Sequence, residues 1–143
     1  MYTKILFATD LTTNHFLLAK QALELADYFT AKLYLLHVIE PPASLQLAQG
    51  LGFAEFDHPI KVDAISVIQT LGDALNIPPE HLFVEVGPIK MHVLTKIAEL
   101  GCDLVIVGSH IPNKIPTFLG STAHAIADEA GCDVLTLHNK STD

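Results

Sequence analysis

Residues 100–108 read Leu-Gly-Cys-Asp-Leu-Val-Ile-Val-Gly, and residues 130–137 read Ala-Gly-Cys-Asp-Val-Leu-Thr-Leu. In both, a glycine stands where a helix needs a left-handed residue just past its end, and an apolar run of strand length follows. The echo marks two equivalent helix-to-strand junctions. Outward from it the same alternation recurs. A helical stripe of Ile89, Val93, Ile97 and Leu100, opened by Gly87-Pro88, precedes the strand 103–107 (DLVIV). Before it, 81–86 (HLFVEV) reads as a strand, and Ile60, Ala64, Val67, Ile68, Leu71 and Leu75 form another helical stripe that ends before Pro78-Pro79. Nearer the start, Lys4–Thr9 (KILFAT) and Lys32–Ile39 (KLYLLHVI) are strands. Between them lies a helix carrying Leu18, Ala22, Leu25, Ala26 and Phe29, with Thr13 or Asn14 as its N-cap. Residues 41–58 have no sustained period and read as a long loop with one helical turn near 45–48. After Gly108, a loop containing Pro112 and Pro116 leads to a short helix, 121–130, and a last strand, 133–138 (DVLTLH).

Strands alternating with helices in this way predict one α/β domain over residues 1–143, a doubly wound parallel sheet covered by helices on both faces. Ligands of such folds sit outside the carboxyl ends of the strands, where strand order reverses. The chemistry therefore narrows to Ala8-Thr9-Asp10, Val38-Ile39-Glu40, Gly87-Pro88 and Val107-Gly108-Ser109-His110.

Composition limits the partners. The chain is 50% hydrophobic and 17% charged, which argues against disorder. Acidic residues outnumber basic ones 16 to 8, for a formal charge of −8, and every basic residue is lysine. A broad nucleic-acid-binding face is not expected, and any bound anion must be met by something other than an arginine fork. The apolar start meets Asp10 too early for a signal peptide, and no run approaches the roughly 20 apolar residues of a membrane helix, so a cytoplasmic protein is expected. Cys102 and Cys132 fit a reducing compartment, as packing thiols or, if their strands are neighbours, as a redox pair. None of the eight histidines falls into zinc-site spacing. Protonating all eight would bring the formal charge from −8 to 0, so solubility is expected to fall in mild acid.

Gly108 lets a ligand approach the backbone, and Gly120-Ser121-Thr122 opens a helix whose free N–H groups and small hydroxyls can meet a phosphate. The same three residues also suit an ordinary helix cap. Asp10 can contact a ligand or cap the turn before the first helix. His37 reads as a packed histidine. Without a base placed beside Ser109, Ser121 or Thr122, no catalytic residue is assigned.

The strands KILFATD and LYLLHV, with the stretch DLVIVGSH…FLGSTAHAIADEAGCDVLTL, resemble the universal stress protein family over essentially the whole chain. The resemblance implies an adenine-nucleotide alpha-hydrolase-like fold with strand order 3-2-1-4-5 and a homodimer through the last strand, here Val134, Leu135 and Leu137. One branch of the family binds AMP or ATP, Mg accompanying ATP, through a signature G-x-x-G-x9-G-[ST]. Gly108, Gly120 and Ser121 match it. By resemblance Ala8, Thr9 and Asp10 lie at the ribose end and Val38 meets adenine through its backbone. By the same resemblance Gly108, Gly120, Ser121 and Thr122 hold the phosphates and Val107 and Ile111 belong to the binding site, while His110 can touch a phosphate or stay solvated, and Lys114 is the lysine in that loop. Ile111 stands where the signature has its second glycine, Pro112 follows, and eight residues rather than nine precede Gly120. Proline disfavours helical backbone at Ile111, which alters the phosphate turn more than the adenosine end. The implied function is a stress-response sensor that binds AMP or ATP with little or no catalysis. The alternative is a nucleotide-free dimeric interaction protein whose Ile111-Pro112 and Phe118 contact a partner, and weak ATP hydrolysis or self-phosphorylation is a third reading.

Overall fold

The apolar runs become the strands of one sheet. The computed structural model describes residues 1–9, 15–40, 47, 50, 51, 57–108, 125, 126 and 128–138. Strands β1 (Lys4–Thr9), β2 (Lys32–Ile39), β3 (Leu82–Val86), β4 (Leu104–Gly108) and β5 (Asp133–Leu137) are all parallel, in the order β3-β2-β1-β4-β5. Helices α1 (His15–Phe29), α2 (Asp57–Leu75) and α3 (Ile89–Leu100) cross between them. Strand order runs outward one way from β1 to β3 and the other way from β4 to β5, so the reversal lies between β1 and β4.

Burial follows position in the sheet. The central strands are apolar on both faces because both faces are covered, and Ile5, Leu6, Phe7, Val105, Ile106 and Val107 are almost wholly buried. The edge strands β3 and β5 are mostly half-buried. Alternation divides the core into two layers. Ile5, Phe7, Leu33, Leu35 and Ile106 pack on one face against Leu18, Ala22 and Ala26 of α1 and Ile68 and Leu71 of α2. Leu6, Ala8, Leu36, Val38, Val105 and Val107 pack on the other against Val93 and Ile97 of α3 and against Ile126. Full burial of one such side chain contributes about 1.5–3 kcal/mol.

The two glycines of the opening echo take the left-handed backbone expected of them, Gly101 at φ 71° and Gly131 at φ 66°. Beyond Gly101, the Cys102 N–H donates to the Ile97 carbonyl at 3.1 Å, closing the end of α3. The strands that follow are neighbours, with Leu104 in register with Asp133. Cys102 and Cys132 pack into the same apolar layer, and burial pushes the Cys102 thiol up to about 12. That environment favours the packing reading, because the thiolate is the reactive form.

Five boundaries differ from expectation. His81 belongs to a 3-10 turn, Pro79–His81, rather than to β3, since its N–H donates to the Pro78 carbonyl at 2.9 Å. Asp103 precedes β4. Its carboxylate accepts from the N–H and hydroxyl of Thr3, both at 3.0 Å, and from the Lys4 N–H at 3.1 Å. Desolvation is the largest influence on that carboxyl and raises its pKa, yet these hydrogen bonds together hold it below the ordinary value. Gly108 is the last residue of β4 rather than the residue after it, and β5 stops at Leu137, one short of His138. Helix α2 starts at Asp57, three residues before Ile60, with Pro59 in its first turn, where proline is tolerated. In the expected loop 41–58, the Leu51 N–H donates to the Leu47 carbonyl at 3.0 Å, a helical bond. Residues 41–46, 48, 49 and 52–56 of that loop, and the N-cap candidates Thr13 and Asn14, lie outside the described residues. Of the expected helix 121–130, helical backbone is described at Ala125, Ile126, Asp128 and Glu129.

Candidate functional site

The register of the central strands decides which residues meet at the carboxyl edge. Ala8 pairs with Val107 across the reversal between β1 and β4, and Thr9 pairs with His37 across β1 and β2. Ala8, Thr9, Val38, Val107 and Gly108 therefore come together there. The side chains of Ala8, Val38 and Val107 are buried in the layer beneath α3, so these positions offer a ligand their backbone. Thr9 is the one polar side chain fully buried among the described residues. Asp10, Ser109, His110, Ile111, Lys114, Phe118, Gly120, Ser121 and Thr122 lie outside the described residues.

Gly108 has a packing reason for being glycine as well as a binding one. A Cβ placed there would lie 2.6 Å from a methyl carbon of Leu18 on α1. Gly87, in the third segment singled out by sequence, sits just past β3 with φ 144°, and a Cβ on it would lie 2.6 Å from Nε2 of His92. Its N–H donates to the Ile39 carbonyl at 2.8 Å, which extends the β2–β3 ladder past the end of β3. His92 itself lies in the first turn of α3, and its imidazole covers Gly87.

Two histidines at this edge were not assigned to the site from sequence. His37 is half-buried, and its Nδ1 lies 2.8 Å from the Thr9 carbonyl. A carbonyl only accepts, so Nδ1 carries the proton in that bond. His37 and His92 each reach a residue that chain spacing does not place beside them: Thr9 is 28 positions from His37, and Gly87 is met through a helical turn.

Electrostatically, the carboxyl edge suits an anion. In a parallel sheet the crossover helices begin at this edge, directing their positive ends towards it. Neither α1 nor α3 has an acidic residue in its first turn, and α3 starts after Pro88 with no side chain capping its N–H groups. Among the described residues no group of three or more His, Cys, Asp or Glu is arranged to hold a metal ion. A groove of about 260 Å³ between α1 and α2, lined by His15, Phe16, Ser66, Val67 and Thr70 among others, is formed by helix surfaces alone. No described helix is long and apolar enough to cross a membrane.

Comparison with known proteins agrees with this architecture. Residues 1–138 match the universal stress protein family. Universal stress protein A homolog 2 of Coxiella burnetii is 36% identical over 143 residues, covering 99% of this chain and 98% of that protein. Universal stress protein G of Escherichia coli O157:H7 is 27% identical, covering 96% and 99%. Among solved structures, hypothetical protein MJ0577 superposes with a TM-score of 0.73 at 22% identity, covering 99% of both chains. A universal stress protein in complex with cAMP superposes at 0.68 with 19% identity, covering 96% of this chain and 97% of the other.

Proposed function

The chain belongs to the universal stress protein family, and from that premise we propose that it binds an adenine nucleotide, AMP or ATP, at the carboxyl edge of β1, β2 and β4. The protein then acts as a dimeric sensor or regulator with little or no catalysis. The observation that carries this reading is the convergence of Ala8-Thr9, Val38 and Val107-Gly108 at the strand reversal, where their backbones face the place a doubly wound fold keeps for ligands. Asp10, the next residue in the chain after Thr9, serves the ribose, while Gly108, Gly120, Ser121 and Thr122 supply N–H groups and hydroxyls to phosphate in a chain without arginine. The neighbour solved with cAMP supports the ligand class. Ile111-Pro112 replaces the second glycine of the phosphate turn, so the adenosine end carries most of the affinity and AMP is favoured slightly over ATP.

Thermal-shift titration with AMP and ATP tests the reading. A ligand at 100 times its Kd adds about 2.7 kcal/mol to the folded state, so a clear rise in Tm is expected at millimolar nucleotide. Gly120→Val is expected to abolish that rise while the protein stays folded. The absence of any shift in the wild type, together with no adenine nucleotide in native mass spectra of gently purified protein, would favour the nucleotide-free interaction protein.

A further inference from the structure

The end of β2 is held from both sides. On one side the imidazole of His37 reaches across to the Thr9 carbonyl of β1 at 2.8 Å. On the other, the Ile39 carbonyl receives the Gly87 N–H at 2.8 Å. Val38 lies between these two attachments, and Asp10 follows Thr9 directly in the chain. His37 shares its face of the sheet with Leu33 and Leu35, which pack under α1 and α2, whereas Val38 turns its side chain to the α3 layer. The imidazole therefore stands on the far face from the Val38 side chain and touches the strand that leads into Asp10. The bond is made by a side chain and depends on one protonated ring nitrogen, so a single substitution removes it without deleting a ladder residue.

We propose that His37 is a positioning residue for nucleotide binding: its Nδ1–H fixes the end of β1 against the end of β2, and so fixes the spacing between the Thr9 and Val38 backbones. This inference rests on the nucleotide reading above. A site assembled from backbone on separate strands depends on their relative placement, because groups held in place before binding do not lose freedom on binding. An apolar ring at position 37 would preserve packing and lose the donor. Asparagine would preserve a donor close to the position of Nδ1.

The test compares wild type with H37F and H37N in two measurements, with unfolding followed in parallel. In nucleotide-free protein, amide hydrogen exchange over residues 37–39 is expected to quicken about fivefold or more in H37F, the equivalent of one partly buried hydrogen bond, and to stay near wild type in H37N. In equilibrium dialysis with AMP, H37F is expected to bind about fivefold or more weakly and H37N within about twofold of wild type. Should H37F fail to fold, His37→Leu and the H37N comparison carry the same contrast. Unchanged exchange and affinity in a folded donorless variant would overturn the proposal, as would equal losses in H37F and H37N. Wild type that binds no nucleotide would instead remove the nucleotide reading, while the exchange contrast would still report whether His37 holds the strand ends.

Discussion

Cys102 shows how a single buried group links the fold to solution conditions. Its thiol lies in the layer beneath α3, and the pKa is pushed up to about 12, first by burial and then by the neighbouring Cys132 and Asp103. A group raised in the folded state stabilises that state below its unfolded pKa, near 9.0, and loses the contribution as pH rises towards 12. Below pH 9 both states keep the proton and stability is independent of this group. Above it the unfolded chain ionises while the native thiol does not, so each further pH unit removes up to about 1.4 kcal/mol. Urea unfolding of wild type and Cys102→Ala at several pH values between 7 and 10.5 checks this. The two should differ by a constant amount up to about pH 9, and the gap should then narrow. A pH-independent gap would mean that the thiol titrates normally in the fold. The same chemistry accounts for the packing role, since a thiol that stays protonated at neutral pH is a poor nucleophile.

At the scale of elements, the helix-to-strand junctions share one geometry. The N–H groups of Ala31, Ile77 and Cys102 donate to carbonyls five residues earlier, Ala26, Gly72 and Ile97, at 2.8, 2.8 and 3.1 Å. Each of these bonds needs a left-handed residue just before the donor, and those residues are Thr30 at φ 55°, Asn76 at φ 58° and Gly101 at φ 71°. Gly101 was legible from the Gly-Cys-Asp echo because glycine announces left-handed backbone. Thr30 was not, because a β-branched residue adopts this conformation only where the surrounding structure imposes it. Thr30→Gly is accordingly expected to raise stability by about 0.5–1 kcal/mol, the strain relieved exceeding the added freedom of the unfolded chain. Chemical denaturation measures it, and a loss of stability would show that the threonine side chain makes a compensating contact. The strands were legible for a complementary reason: central parallel strands are apolar on both faces, so KILFAT and KLYLLHVI declare themselves without context. Their neighbours' ends did not, because the Pro78 carbonyl takes the His81 N–H and the Asp103 carboxylate turns back to Thr3 and Lys4. Local bonds of this kind outweigh periodicity at an element's last residue.

At the scale of the whole molecule, the backbone part of the carboxyl edge was legible, since the strand ends follow from the apolar runs and their order from the resemblance to the universal stress protein family. His37 and His92 were not, because their partners are defined only once strands pair and α3 folds back on Gly87. What β5 does at the outer edge of the sheet is a matter of the same register. The Asp133 N–H points to the Asp103 carbonyl at 3.4 Å, and Leu135 and Leu137 lie opposite Ile106 and Gly108 of β4. In a parallel ladder alternate residues of a strand direct both polar backbone groups to the same neighbour, so Asp133, Leu135 and Leu137 serve β4 and Val134 and Thr136 turn theirs outward. Among the described residues no strand lies beyond β5. An edge with outward N–H groups and the half-buried Val134, Leu135 and Leu137 favours pairing with a second copy, which meets the same edge under two-fold symmetry. Thr136 is exposed, so Thr136→Pro removes an outward donor and leaves the inward ladder to β4 in place. Sedimentation velocity at micromolar concentration is expected to give a dimer for the wild type and a monomer for Thr136→Pro, with native circular dichroism retained in both. A wild-type monomer, or a variant that sediments as a dimer, would move the association to another face of the molecule.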